Sequence, residues 1–131
     1  MRSNPVENWH GIVRTRDGDG LSDLLADDVV FHSPVMHTPQ VGKVITTFYL
    51  TAALRVLVNN SFRYIREVIG ERDAVLEFET TIEGIIVNGV DIIRWNDDGR
   101  IIEFKVMIRP LKAINLIHQK MGEVLSSQPK I

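Results

Sequence analysis

The chain has 131 residues, 44% of them apolar and 24% charged, with a formal net charge of -2. That length suits one soluble domain able to bury roughly two-thirds of its unfolded surface, and the near-neutral charge excludes the electrostatic footprint of a nucleic-acid or anionic-membrane partner. Cysteine is absent, which excludes disulfides, thiolate metal sites and thiol catalysis. Met1–Pro5 carries no apolar leader and no apolar run approaches the roughly 18 residues of a membrane span, so a cytoplasmic location is expected.

Pro5 is placed to open a helix, followed by Val6, Trp9, Ile12 and Val13 at helical spacing. Asp17-Gly18-Asp19-Gly20 ends it, as a turn rather than a calcium loop, because the later ligand positions of such a loop are missing. A short helix is expected over Leu21–Ala26 and a strand over Val29–Ser33, stopped by Pro34. Gly42 opens a third helix, Lys43–Val58, with Ile45, Phe48, Tyr49, Ala52 and Val56 as its apolar positions.

From Phe62 onward the pattern is antiparallel sheet. One strand spans Phe62–Ile69, and Gly70–Asp73 breaks it. In Val75–Gly84 the residues Leu76, Phe78, Thr80 and Ile82 alternate with Glu77, Glu79, Thr81 and Glu83. Val87–Val90 reads as a turn, and Asn96-Asp97-Asp98-Gly99 as a hairpin turn leading to a strand over Arg100–Arg109. Leu111, Ile114, Ile117, Met121 and Leu125 mark a final helix, and residues 126–131 are expected to be a flexible tail. This order implies an α+β domain, with helices on one face of a curved sheet.

One acid stands out. Asp91 lies among Val90, Ile92 and Ile93, in a strand where Ile93 and Trp95 share its face. A desolvated charge is costly unless paired or protonated, so a pocket that uses an acid is one reason for its position. Across the turn Ile102, Phe104, Val106 and Ile108 are expected on the same inward face, where their apolar surroundings would raise the carboxyl pKa. The alternative is an Asp satisfied by a nearby Arg or Tyr in a structural network. The opposite face carries Arg94, Glu103, Lys105 and Arg109 with Ile92, Ile101 and Met107, a mixture suited to a two-fold interface.

Leu25-Ala26-Asp27-Asp28-Val29-Val30-Phe31-His32-Ser33-Pro34-Val35 and the hairpin Gly89–Ile101, in this helix–sheet order, resemble the nuclear transport factor 2-like superfamily, in its SnoaL-like and ketosteroid isomerase-like branch. The resemblance runs from Pro5 to Val124. It implies a cone, in which a strongly curved, mostly antiparallel sheet wraps about three helices, with a C-terminal helix and a ligand pocket at the open end. It also implies a single domain over residues 1–131 and a homodimer formed through the convex sheet face. In ketosteroid isomerases the acid corresponding to Asp91 donates a hydrogen bond to the substrate oxygen. The position of their proton-abstracting carboxylate is Ser33 here, and that of their helical tyrosine is Trp9, which donates one N–H and cannot relay a proton. Steroid isomerisation is therefore not expected.

His37, on the loop after Ser33, is the better candidate for moving a proton. His32 alternates in facing with Ser33. The dispersed histidines suggest no metal site, and no glycine-rich phosphate loop or cofactor signature occurs. The expected pocket wall comprises Trp9, Phe31, Ser33, Phe48, Phe78, Ile93, Trp95, Phe104 and Val106. Three functions fit. One is an isomerase-, cyclase- or dehydratase-type enzyme acting on a small hydrophobic, oxygen-bearing molecule through Asp91. The others are a non-catalytic binder of such a molecule, and a dimeric interaction domain with a filled cone. Fold alone does not choose among them.

Overall fold

The computed structural model describes residues 4–127. The first helix, α1 (Val6–Thr15), follows Pro5; the Val6 amide donates to Asn4 Oδ1 at 2.7 Å, and Arg16, in a left-handed conformation, closes the far end. Its stripe of Val6, Trp9, Ile12 and Val13 is buried. A 3-10 turn (Gly18–Gly20) is capped by Asp17, whose carboxylate accepts from the Asp19 amide. The short α2 (Leu21–Leu24) leads directly into β1 (Leu25–His32), and β2 is the two-residue segment Gln40–Val41.

Then come α3 (Lys43–Leu57), β3 (Arg63–Ile69), β4 (Asp73–Ile82), β5 (Ile85–Trp95), β6 (Ile101–Arg109) and α4 (Leu111–Ser127). The six strands form one curved mixed sheet in the order β2-β1-β6-β5-β4-β3, antiparallel except for the parallel β1–β6 pair. The three N-terminal helices cover its concave face around a core that includes Leu21, Leu50, Leu76, Phe78, Ile93 and Phe104. Among the described residues, no helix is long and apolar enough to cross a membrane.

The alternation in β4 is realised: Leu76, Phe78, Thr80 and Ile82 are buried. Five expectations need correction. β1 begins at Leu25, because Leu25 pairs with Ile101, and this extended pairing overrides the helical reading of Leu25 and Ala26. Val87–Val90 is not a turn. The chain reverses at Glu83 and Gly84, both at positive φ, and β5 continues through Gly89, which lies opposite Phe78. A Cβ there would sit 2.5 Å from Phe78 Cζ and 2.7 Å from the Met107 carbonyl oxygen, so glycine serves close packing rather than a turn.

Ile101 belongs to the core rather than the outer face. A register shift between Arg94 and Trp95 sets Trp95 opposite Ile101 and turns that side chain inward. In α3 the buried positions are Thr46, Leu50, Ala52, Leu54 and Leu57, whereas Ile45, Phe48, Tyr49 and Val56 are half-buried. This helix is apolar on several sides and packs against both β1 and α4, so no single narrow stripe is covered. Finally, Ser126 and Ser127 of the expected tail continue α4, and 128–131 lie outside the described residues.

Candidate ligand pocket

Three side chains from separate elements converge inside the cone. Trp9 on α1 donates its indole N–H to the Tyr64 hydroxyl on β3 at 2.8 Å. That hydroxyl donates to Asp91 Oδ2 on β5 at 2.7 Å. Phe104 fixes the indole by an edge contact, with ring centroids 4.9 Å apart. The three groups thus form one directed run of donors ending on the carboxyl.

Asp91 is only 5% exposed. Burial pushes its pKa from the ordinary 3.8 up to about 7, against the opposing influence of hydrogen bonding by Tyr64 and Trp9. Burial, with the Asp91 charge as second cause, also raises Tyr64 well above a normal phenol. Burial thus favours the protonated carboxyl of Asp91 far more than in water, while Tyr64 remains a phenol. His10 flanks the other side of Tyr64, with ring centroids 5.0 Å apart, and its Nε2 lies 2.6 Å from Glu67 Oε2.

The polar run borders a small inner chamber of about 30 Å³, whose wall includes Trp9, Tyr64, Phe78, Asp91, Phe104 and Val106. A larger outer chamber of about 180 Å³ lies between the β1 loop and α4, bordered by Phe31, Ser33, Tyr49, Ile108, Ile117 and Met121 among others. Ala53 and Leu57 of α3 and Val106 of β6 border both chambers and stand between them. His118 lies on the outer wall, on the exposed side of α4.

Of the residues anticipated as pocket wall, Trp9, Phe78, Phe104 and Val106 border the inner chamber with Asp91, and Phe31 and Ser33 border the outer one. Ser33 Oγ accepts from the Val35 and Met36 amides at 3.0 and 3.3 Å and thereby shapes the loop. Phe48 stands edge-on to Tyr49, while Ile93 and Trp95 pack in the core beyond Asp91; these three border neither chamber. His37 is exposed on a shallow groove outside the loop, and His32 Nε2 lies 3.0 Å from Glu103 Oε2. Neither histidine borders a chamber.

Two contributors escaped the sequence reading. Tyr64 sits in a strand of charges and aliphatics that is otherwise exposed. The chain has only two tyrosines, Tyr49 and Tyr64. The inner face of α4 was legible as an apolar stripe but not as a cavity wall.

The profile of the SnoaL-like domain matches residues 6–104. The chain belongs to the SnoaL-like family of the nuclear transport factor 2-like superfamily. A steroid delta-isomerase from Pseudomonas aeruginosa is a similar solved structure, with 37% identity and TM-score 0.88 over 93% of this chain and 89% of that one. An uncharacterised protein with a cystatin-like fold from Silicibacter pomeroyi is 27% identical, with TM-score 0.86 over 94% of this chain and 86% of its own. The epoxide hydrolase/cyclase-like enzyme SalBIII, of pyran ring formation in salinomycin, is 16% identical with TM-score 0.64, over 79% of this chain and 87% of that one. That last likeness concerns the fold alone. Among curated proteins no match was found.

Proposed function

We propose that this SnoaL-like protein binds a small, largely apolar molecule through one oxygen presented to Asp91, and moves a proton at that oxygen. The observation that carries this reading is the run Trp9→Tyr64→Asp91, which ends at the wall of an apolar chamber. With Asp91 protonated, its carbonyl oxygen accepts from Tyr64 while its O–H donates to the ligand. Each upstream donor polarises the next. A carboxyl that burial keeps protonated towards neutral pH can donate to a ligand oxygen, and its hydrogen bond strengthens as negative charge develops on that oxygen. Isomerisation, cyclisation and dehydration are the reaction types served, since each needs one oxygen polarised and one proton moved.

A thermal-shift screen with hydrophobic ketones, repeated on Asp91→Asn, tests this. A ligand at about a hundred times its dissociation constant should add roughly 2.7 kcal/mol to stability. Ketones that stabilise the parent should stabilise the variant less and should not be turned over by it. Equal stabilisation and equal turnover would refute the role of Asp91. A non-catalytic binder is the second reading, favoured by one observation: among the described residues, no other carboxylate and no histidine borders the inner chamber.

We also propose a homodimer formed through the convex sheet face. Val68, Val75, Ile86 and Met107 are exposed there beside the Arg63–Glu79 and Arg66–Glu77 ion pairs, a mixture that can match itself about a two-fold axis. Sedimentation of the parent and Met107→Glu tests it. A cytoplasmic location is proposed because a chain without cysteine has no disulfide that would call for an oxidising compartment; cell fractionation decides.

A further inference from the structure

The size of the ligand follows from the shape of the site, and this step rests on the binding reading above. The inner chamber, about 30 Å³, holds about one water-sized group. Only a single oxygen substituent can therefore stand beside Asp91, and the body of the ligand must lie beyond Ala53, Leu57 and Val106 in the outer chamber. That chamber, about 180 Å³, is little larger than the roughly 150 Å³ apolar cavity known to take up benzene. Even together the two fall short of the roughly 300 Å³ at which pockets for drug-sized ligands begin.

We propose that the ligand is a single-ring or short branched ketone, its carbonyl reaching Asp91 through a neck between Ala53 and Val106, the side chains that border both chambers, and its body against Phe31, Ile117 and Met121. A fused four-ring ketone does not fit, because the outer chamber, little larger than a cavity that takes up one ring, cannot enclose four. Ala53 is the smallest side chain of that neck and is half-buried on α3, where a larger aliphatic residue remains compatible with the helix. It therefore determines whether the oxygen can reach the acid.

Calorimetric titration of the full chain with an isopropyl-cyclohexenone, the matching isopropyl-cyclohexene and a four-ring steroid enone decides the matter. The single-ring enone should bind at least about tenfold more tightly than the steroid. Steroid binding of equal or greater strength overturns the size inference and leaves the role of Asp91 standing. Equal binding of the enone and the hydrocarbon, with the steroid excluded, supports the size inference and counts against the oxygen contact. Binding of none of the three overturns both. In Ala53→Leu, with circular dichroism unchanged, enone affinity should fall to that of the hydrocarbon; an enone that binds as in the parent overturns the neck.

Discussion

Tyr64 and Asp91, on strands that are not neighbours in the sheet, are joined by a hydrogen bond of 2.7 Å. β4 lies between them, and the side chains meet over Leu76 and Phe78 on the concave face. Tyr64→Phe leaves the Trp9 N–H without its acceptor and Asp91 without a donor, so stability should fall by about 1–3 kcal/mol in urea unfolding. Tyr64 holds the Asp91 pKa down, so the same variant should titrate Asp91 above the parent value of about 7, readable by carbon NMR of the carboxyl. A downward shift would contradict the assigned geometry.

Asp91→Asn should separate the cost of the charge from the need for the oxygen. The folded pKa of about 7 exceeds the ordinary 3.8, so the folded protein binds more protons than the unfolded chain between those values. Stability of the parent should therefore fall as pH rises through that window, by about 4 kcal/mol at most, and the loss is complete above it. The variant lacks this slope. It should be the more stable protein at about pH 8 and lose the advantage towards about pH 4. Parallel stability curves for the two proteins would show that Asp91 is not the titrating group.

Gly89→Ala should destabilise the fold by about 1–3 kcal/mol or more, since the added methyl group meets the Phe78 ring and the Met107 carbonyl. Shortening the ring in Gly89→Ala/Phe78→Leu should return part of that loss. A double-mutant cycle with no coupling would rule out the clash.

Phe104→Ala should cost about 3–5 kcal/mol, because the ring is 1% exposed and supports both Trp9 and Phe31. Loss of the edge contact should also broaden the Trp9 indole N–H resonance, which tests its part in positioning the donor run.

Lys120 on α4 pairs with Glu83 at the β4–β5 turn and ties the wall of the outer chamber to the sheet. In Glu83→Gln the melting temperature should hardly change, because the pair is exposed to solvent. Amide exchange along α4 should quicken, as should entry and release of any ligand. Unchanged exchange would show that helix packing alone holds the wall.

Much of this architecture is legible in the residues. The alternation of Leu76, Phe78, Thr80 and Ile82 is a local pattern, and the Asn96–Gly99 turn is a local signal, so both survive in the structure. The inward facing of Asp91 follows from the same period of two. Contacts set by tertiary packing were not legible. Gly89 looks like a turn until Phe78 is seen lying on it, and Ile101 looks outward until the register shift at Trp95 turns it inward. Tyr64 needed knowledge of which strand crosses Asp91 two places away. His37 needed the path of its loop, and Phe48 the tilt of α3.

The pairing of β1 with β6 carries a consequence for how the protein comes into being. Phe31 meets Phe104 and His32 meets Lys105 in a parallel ladder that spans most of the chain. Such long-range pairing is slow to form, because a large loop must close before any contact rewards it. During synthesis β1 has only β2 and α3, through the Phe31–Tyr49 stack, for partners until the final strand has left the ribosome, and chains stopped before Ile101 should be captured by chaperones. The hairpins β3–β4 and β4–β5 can zip up earlier, by local contacts. The mouth of the cone is thus the last part of the molecule to exist.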